Sequence, residues 1–219
     1  MNELSAISPK NFQKPCLCVL ALDVSSSMAG TPILELNSAL QEFYHSINQD
    51  DEAAEKLEIC LITFGSEVKC IQEPAKVDDF KMPSLVADGT TKLVDGIKLA
   101  IKQVDLRKEY YKKYSPQYSR PMILVITDGE PDSDQDVNGL ASLLKDDMLA
   151  KKYTLHVIGT SGYNYSKISK FCPKELIYEI GLNYSRFFKW LSRSTDEISS
   201  GKSLSDISGS DFMQQSPIN

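Results

Sequence analysis

The sequence predicts an α/β fold with a doubly wound, mostly parallel six-stranded sheet, one antiparallel edge strand, and helices on both faces. Short apolar runs alternate along the chain with segments of helical periodicity, which is the order of strand–helix–strand units. The run Leu57–Phe64 is apolar on both faces, as a strand of a buried parallel sheet is. With 219 residues, 42% of them hydrophobic, the chain is large enough to enclose one core without dividing.

The first half of the chain divides into strands and helices by these patterns. An apolar strand ends at Leu22, and a helix begins at Thr31-Pro32, where Pro suits the first turn. The acidic segment Asp50–Glu55 is interpreted as a solvated connection to the strand Leu57–Phe64. Charged and apolar residues then alternate from Glu67 to Cys70, which predicts an antiparallel edge strand blunted by its charges.

The second half continues the alternation into a polar tail. Thr91 opens a helix with an apolar stripe, and Met122–Ile126 is the next buried strand. Further helices and strands are predicted at residues 136–152, 155–158, 165–171, 176–180 and 184–194. We therefore expect an N-terminal extension (residues 1–15), one domain (residues 16–197) and a Ser-rich tail without fixed structure (residues 198–219).

Three polar segments stand where strands end or a helix begins. Asp23-Val24-Ser25-Ser26-Ser27 directly follows the first strand, Gly89-Thr90-Thr91 precedes a helix, and Thr127-Asp128-Gly129 follows the strand Met122–Ile126. In an open doubly wound sheet, ligands bind beyond the carboxyl ends of the strands, where the strand order reverses. If the two strands are central neighbours, Asp23 and Asp128 emerge into the same crevice.

The residue types in these segments are those of a site for a hard cation. Magnesium prefers six oxygen ligands and usually keeps several waters, so hydroxyl ligands with carboxylates behind the waters suit it. We predict Ser25, Ser27 and Thr91 as hydroxyl ligands, and Asp23 and Asp128 as carboxylates that orient them or bind directly. Mn²⁺ and Ca²⁺ are alternatives to Mg²⁺. An ion held by neutral ligands stays electrophilic, and a carboxylate from another molecule can complete its shell.

The pattern Asp-x-Ser-x-Ser, then Thr, then Asp-Gly resembles the metal-ion-dependent adhesion site (MIDAS) of von Willebrand factor type A (vWA) domains. This resemblance, which spans Cys16 to Arg193, implies the Rossmann-like vWA fold and favours Thr91 over the adjacent Thr90. Within that family the chain is most similar to bacterial TerY-like proteins of tellurite resistance. The motifs that carry this similarity are Ile62-Thr63-Phe64-Gly65, Arg120-Pro121, Thr127-Asp128-Gly129-Glu130-Pro131 and Phe187-Phe188-Lys189-Trp190-Leu191.

The resemblance implies a protein-binding module rather than an enzyme. In such a module an Asp or Glu of a protein partner completes the metal shell. TerY-like domains are associated with stress systems linked to tellurite resistance and phage defence, and some occur beside protein phosphatases and protein kinases. We therefore expect a cytoplasmic scaffold or regulator with a partner of that kind.

Two other functions are weighed against this one. A metal-dependent phosphohydrolase of the haloacid-dehalogenase type would need a second Asp two positions after Asp23, where Ser25 stands. A nucleic-acid-associated or phage-defence role could use the cations and tyrosines around residues 107–120, although a net charge of −6 argues against a general affinity for nucleic acid or anionic membranes.

Location in the cell is expected from the cysteines and from hydropathy. The count of five cysteines is odd, and Cys16, Cys18 and Cys60 fall inside strand patterns, where Cys serves as a small buried hydrophobe. No run reaches the ~18 apolar residues of a membrane-spanning helix, and the first fifteen residues do not resemble a secretory signal. These features predict a cytoplasmic protein. His45 and His156 are interpreted as structural, since neither has ligand-type neighbours at a suitable spacing.

Overall fold

The computed structural model describes residues 14–79, 82–114, 117–129, 131–160 and 162–200, together with residues 202, 206, 207, 210, 211, 214 and 215. The strands are β1 (Cys16–Asp23), β2 (Leu57–Phe64), β3 (Val68–Lys76), β4 (Met122–Thr127), β5 (Thr154–Thr160), β6 (Ile177–Gly181) and β7 (Gln214–Gln215). The helices are α1 (Thr31–Asn48), α2 (Asp51–Lys56), α3 (Leu93–Tyr114), α4 (Val137–Leu149), α5 (Tyr165–Ile168) and α6 (Tyr184–Ser200). Single 3₁₀ turns occur at Ser26–Met28, Val77–Asp79 and Lys174–Leu176.

The strands form one sheet in the order β3-β2-β1-β4-β5-β6-β7. Strands β2, β1, β4, β5 and β6 run parallel to one another, and β3 pairs antiparallel with β2 at one edge. The predicted fold class, including the antiparallel edge strand, is confirmed. The short strand β7 adds a second antiparallel partner at the other edge, beside β6. The central pair β1 and β4 is the one on which the expected crevice depends.

Both faces of the central strands β1, β2, β4 and β5 are buried, which explains why these strands show no polar face. In β1, Cys16, Cys18, Leu20 and Leu22 enter one core cluster, while Leu17, Val19 and Ala21 enter the other. Residues of α1 and α6 line the first cluster, and residues of α3 and α4 line the second. Every residue of β1 is fully buried. Cys16 and Cys18 are therefore packing residues with free thiols.

Two segments differ from their predicted structure. The acidic connection forms the helix α2, because the Asp50 side chain accepts a hydrogen bond from the Ala53 amide and caps it. Helix α6 continues to Ser200, past the predicted domain boundary at residue 197. Among the described residues of the tail, Ile207 is buried and Gln214–Gln215 pairs with β6. The division into extension, domain and tail stays a prediction. Residues 1–13 of the predicted N-terminal extension lie outside the described residues.

Hydropathy of the helices gives one further result. Within the described ranges, no helix combines the length and the apolar character needed to cross a membrane.

His156 on β5 lies in the core and is expected to make stability depend on pH. Its side chain is 3% exposed, and neither ring nitrogen has a hydrogen-bond partner among the described residues. Burial lowers its pKa from 6.5 to about 4. Between these values the unfolded chain binds a proton that the folded protein excludes, so stability is lost as the pH falls through this window, by up to about 3 kcal/mol.

The His156→Leu variant should therefore lose less stability than the parent between pH 7 and pH 4.5. Urea unfolding at both pH values measures this, and the difference between the two proteins at each pH isolates His156 from other titrating groups. Replacement of the exposed His45 by Gln is the control for removal of a histidine outside the core. An equal pH dependence in parent and His156→Leu would contradict the prediction.

Candidate metal centre

Asp23 is the last residue of β1 and is fully buried between β2 and β4. Its Oδ1 accepts a hydrogen bond from the Ser25 amide at 2.9 Å, and its Oδ2 accepts one from the Thr127 hydroxyl at 2.6 Å. Thr127 Oγ1 in turn accepts a hydrogen bond from the Gly129 amide at 2.9 Å. The carboxylate is thus held from both sides by the loops that follow β1 and β4.

The electrostatics of Asp23 are unfavourable for its charged form. Burial raises the pKa of Asp23 from 3.8 to about 6, and the nearby Asp128 carboxylate acts in the same direction. The hydrogen bonds from Ser25 and Thr127 lower the pKa, but by less than burial and the Asp128 charge raise it. A buried carboxylate next to a second carboxylate is an arrangement that a cation would stabilise.

The hydroxyls of Ser25 and Ser27 lie side by side beyond Asp23. Their Oγ atoms are 3.0 Å apart, with Ser25 buried and Ser27 exposed. The 3₁₀ turn Ser26–Met28 sets this spacing, and the fully buried Met28 side chain anchors it. Two hydroxyl oxygens therefore lie together just beyond the carboxyl end of β1, one on a buried residue and one on an exposed residue.

The loop before α3 forms hydrogen bonds with the loop that follows β1 and with the loop that follows β4. The Ser26 amide donates to the Gly89 carbonyl at 3.0 Å. The Thr91 amide donates to Asp132 Oδ1 at 3.1 Å, and the Asp132 amide donates back to the Thr91 carbonyl at 3.0 Å. The three polar segments predicted from the sequence are therefore joined by hydrogen bonds in one region.

The adjacent threonines of this loop differ in their surroundings. Thr91 is half-buried and its backbone is fixed by Asp132, whereas Thr90 is exposed and its amide donates to Ser66 Oγ at 3.0 Å. This difference favours Thr91 as the hydroxyl nearer the site. The role of each threonine as a ligand stays a prediction, as do the ligand roles of Asp23, Ser25, Ser27 and Asp128.

The donor set fits a hard cation held largely by hydroxyls. Over the described part of the chain, His, Cys, Asp and Glu side chains form no cluster of three or more that could hold a metal. The predicted site would combine the carboxylates of Asp23 and Asp128 with the hydroxyls of Ser25, Ser27 and Thr91. Such an all-oxygen set suits Mg²⁺ better than zinc, which prefers His and Cys ligands.

Sequence reasoning gave no individual role to three residues around this centre: Thr127, Asp132 and Tyr184. Thr127 binds the Asp23 carboxylate, and its position at the end of β4, directly before Asp128, was a usable signal. Asp132 fixes the Thr91 backbone, which no local pattern indicates. Tyr184, at the start of α6, is fully buried. Burial raises its pKa to about 12, and the charges of Asp128 and Asp23 act in the same direction.

Gly89 is required for the path of the loop that carries Thr91. Its φ is +81°, and a Cβ atom there would lie 1.8 Å from Ser66 Oγ and 2.8 Å from Ser66 Cβ. We expect Gly89→Ala to lower the free energy of unfolding by about 2–3 kcal/mol, because strain at positive φ and a steric clash add together. Urea unfolding measures the change.

Gly162→Ala is the matched control for this substitution. Gly162 has a φ of +84°, but no atom lies within 4 Å of a Cβ added there. It should cost only the backbone strain, about 1 kcal/mol. Equal losses in the two variants would show that Ser66 moves aside and that the close approach at Gly89 is unimportant.

Some residues of the basic and aromatic segment around residues 107–120 make contacts within the fold and are not available to a partner. The Tyr111 side chain is buried and its hydroxyl donates to Glu58, while Arg107 forms two hydrogen bonds with the same carboxylate. Tyr110 and Tyr114 remain exposed at the end of α3. Since α3 has 22 residues and starts just after Thr91, this end lies about 30 Å from the candidate metal centre.

The family of the chain is established by its sequence. The family model of the von Willebrand factor type A domain matches residues 18–188. The chain belongs to the von Willebrand factor type A domain family. No sequence among curated proteins matches it.

Solved structures share the fold at low sequence identity. The vWF domain of the type V pili tip protein Mfa5 from Porphyromonas gingivalis is 13% identical with a TM-score of 0.55, over 94% of this chain and 99% of that one. The pilus adhesin SpaC from Lactobacillus rhamnosus GG, in an open conformation, is 14% identical with a TM-score of 0.61, over 88% of this chain and 31% of that one. Proximal thread matrix protein 1 from the mussel byssus is 16% identical with a TM-score of 0.56, over 94% of this chain and 48% of that one. The chain thus spans about half the length of the mussel protein.

Proposed function

We propose that this chain is a metal-dependent protein-binding module. In this proposal Ser25, Ser27 and Thr91 bind Mg²⁺ through their hydroxyls, and Asp23 and Asp128 hold the waters and ligands in place. A bound magnesium ion supplies an electrophilic centre for a carboxylate oxygen. The observation that carries the proposal is the buried Asp23 carboxylate, which is fixed by Ser25 and Thr127 directly behind the paired hydroxyls of Ser25 and Ser27.

The residues of the site favour recognition over catalysis. Ser25 Oγ and Ser27 Oγ contact each other at 3.0 Å, so the two serines present neighbouring neutral oxygens to a ligand. A partner that presents Asp or Glu fits such a centre, because it supplies the negative charge that neutral hydroxyl ligands leave uncompensated. We therefore take the partner to be a protein with an exposed acidic side chain.

Substitution of Ser27 tests the metal site without disturbing the core, since this side chain is exposed. We expect Ser27→Ala to weaken the binding of Mn²⁺ by at least about tenfold, because a ligand hydroxyl is lost. Titration of the protein into Mn²⁺, followed by electron paramagnetic resonance of the free ion, measures this affinity. Ser26→Ala, an exposed hydroxyl of the same turn, is the matched control. Equal affinities for Mn²⁺ in the two variants would show that Ser27 is not a ligand of the metal.

Binding of a partner is tested with the same pair of variants. Proteins captured by the immobilised chain in Mg²⁺, lost in chelator, and lost on Ser27→Ala but not on Ser26→Ala would be partners of the metal site. Capture that is insensitive to chelator and to Ser27→Ala would point to another surface. The salt dependence of capture separates nucleic-acid binding, which weakens steeply with added salt.

The cellular setting that we propose rests on the resemblance to TerY-like proteins. It is a cytoplasmic scaffold or regulator in a bacterial stress system of the tellurite-resistance type, or in phosphorylation signalling, with a protein phosphatase or protein kinase as partner. The free, mostly buried cysteines support a reducing compartment. Loss of the chain's gene should then lower the tellurite concentration that its host tolerates, and unchanged tolerance would contradict this setting but not the metal site.

A further inference from the structure

Two cysteines of the edge hairpin have their sulfur atoms in contact. Cys60 on β2 and Cys70 on β3 place their Sγ atoms 3.8 Å apart. They are not direct cross-strand partners, since Cys70 pairs with Ile62. Register shifts on both sides of Leu61 displace the ladder between β2 and β3 and bring the diagonal pair together. Both residues pack against the core cluster that α3 covers.

The two thiols differ in access and in acidity. Cys60 is fully buried, whereas Cys70 is half-buried on the edge strand and can be reached from solvent. The hydrogen bond between the two sulfurs lowers the pKa of Cys70 and, together with burial, raises the pKa of Cys60. Cys70 is therefore the thiol that reacts first with a small reagent, and Cys60 is the thiol placed to react with the product.

We propose that Cys60 and Cys70 form a reversible intramolecular disulfide in the presence of a low-molecular-weight disulfide such as oxidised glutathione. A disulfide bond is about 2.05 Å long, so the two sulfur atoms, now 3.8 Å apart, must approach each other when the bond forms. The remaining cysteines, Cys16, Cys18 and Cys172, are buried in the two core clusters and are not accessible in the folded chain. The reaction should be selective for the hairpin pair.

The reaction proceeds by two thiol–disulfide exchanges. In the first, the Cys70 thiolate attacks one sulfur of oxidised glutathione, a bond to Cys70 forms, the glutathione disulfide breaks, and one glutathione thiolate leaves. In the second, the Cys60 sulfur attacks the Cys70 sulfur and displaces the other glutathione, and its proton passes to solvent. The two cysteine thiols are oxidised by two electrons, and one glutathione disulfide is reduced to two glutathione molecules.

The cysteine pair lies on the two strands that the turn at residues 65–67 joins. The disulfide would fasten β3 to β2 behind the turn at residues 65–67. That turn contacts the loop before α3, since the Lys92 amide donates to the Gly65 carbonyl at 3.1 Å and the Thr90 amide donates to Ser66 Oγ. The proposed modification site is independent of whether a metal binds, because neither cysteine belongs to the candidate metal centre.

Mass spectrometry of the folded chain tests the proposal. After incubation with oxidised glutathione, the parent should lose two hydrogens and two of its five free thiols, and a peptide map should join Cys60 to Cys70. Dithiothreitol should restore all five thiols. Cys70→Ser should not react, whereas Cys60→Ala should stop at a stable mixed disulfide between Cys70 and glutathione. Cys172→Ala, which removes a buried thiol elsewhere, should react like the parent.

Three results would overturn the proposal. They are retention of five free thiols in the parent, accumulation of a mixed disulfide at Cys70 that Cys60 does not displace, and a map that joins any other pair. Cys70 lies on the half-buried edge strand, so Cys70→Ser is expected to fold. The outcome in the parent decides the proposal even if Cys60→Ala is unstable.

Discussion

Asp23→Asn should stabilise the metal-free protein and abolish its response to divalent cations. The Asp23 carboxyl has a pKa of about 6 in the folded protein and 3.8 as its ordinary value. Stability from this group is fully present below pH 3.8 and is lost as the pH rises through 6, which amounts to about 3 kcal/mol at neutral pH. Asn carries no charge at any pH, although it loses the acceptor for the Thr127 hydroxyl. We therefore expect a net gain of about 1–2 kcal/mol.

Urea unfolding at pH 7.5, in chelator and in Mn²⁺, measures both effects. A cation that binds only the folded protein stabilises it by about 2.7 kcal/mol at a hundred times its Kd. In Mn²⁺ the parent should gain stability and Asp23→Asn should not. The difference between their free energies of unfolding should therefore become smaller or change sign. Asp134→Asn, which removes an exposed carboxylate of the β4 loop, is the control and should behave like the parent.

The two halves of this expectation can fail separately. A parent that does not respond to Mn²⁺ would end the proposal of a metal centre. An Asp23→Asn protein that is less stable than the parent in chelator would instead show that the hydrogen bonds from Ser25 and Thr127 outweigh the cost of burying the charge.

Glu58→Ala should cause the largest loss of stability of the substitutions considered. Glu58 is the common acceptor for Arg107 and for the Tyr111 hydroxyl, with Arg107 Nε and a terminal nitrogen at 2.7 and 2.6 Å from its two oxygens. The Glu58 and Arg107 side chains are 7% and 20% exposed. Removal of the carboxylate leaves a largely buried guanidinium and a buried hydroxyl without their acceptor. We expect a loss of about 3–4 kcal/mol in urea unfolding.

Replacement of Glu58, Arg107 and Tyr111 together shows whether the loss in Glu58→Ala comes from an unpaired buried charge or from lost packing. The variant Glu58→Leu, Arg107→Met, Tyr111→Phe keeps the volume and removes every polar partner, so it should recover to within about 1 kcal/mol of the parent. Glu67→Ala is the surface control, because its ion pair with Lys69 is exposed and should contribute nothing measurable. If the joint variant is as unstable as Glu58→Ala, packing rather than charge is the reason for the loss.

The fold could be predicted from sequence because its central strands β1, β2 and β4 are almost continuously apolar. Strand β2 was predicted with the bounds that the structure gives it, Leu57–Phe64, and β4 differs only by Thr127 at its end. The edge strand β3 was predicted in kind, but it continues to Lys76. Its alternation weakens at the irregular pairing with β2, so the local pattern could not give its length.

The candidate site was only partly predictable. The segments with Asp23, Thr91 and Asp128 stand out in the sequence because polar residues follow apolar strands or precede a helix. Nothing local indicates that Asp132 fixes the Thr91 backbone. Nothing local indicates that Ile207 enters the core or that Gln214–Gln215 pairs with β6.

The sequence by itself determined the order of strands and helices, the two buried faces of the sheet and the residue types at its carboxyl edge, because periodicity and hydrophobicity are properties of neighbouring residues. The tertiary structure decided the burial of the Asp23 charge, the grouping of Glu58 with Arg107 and Tyr111, and the contact of Cys60 with Cys70. These features depend on strand register and on helix packing, which bring together residues that are distant in sequence and which no local pattern records.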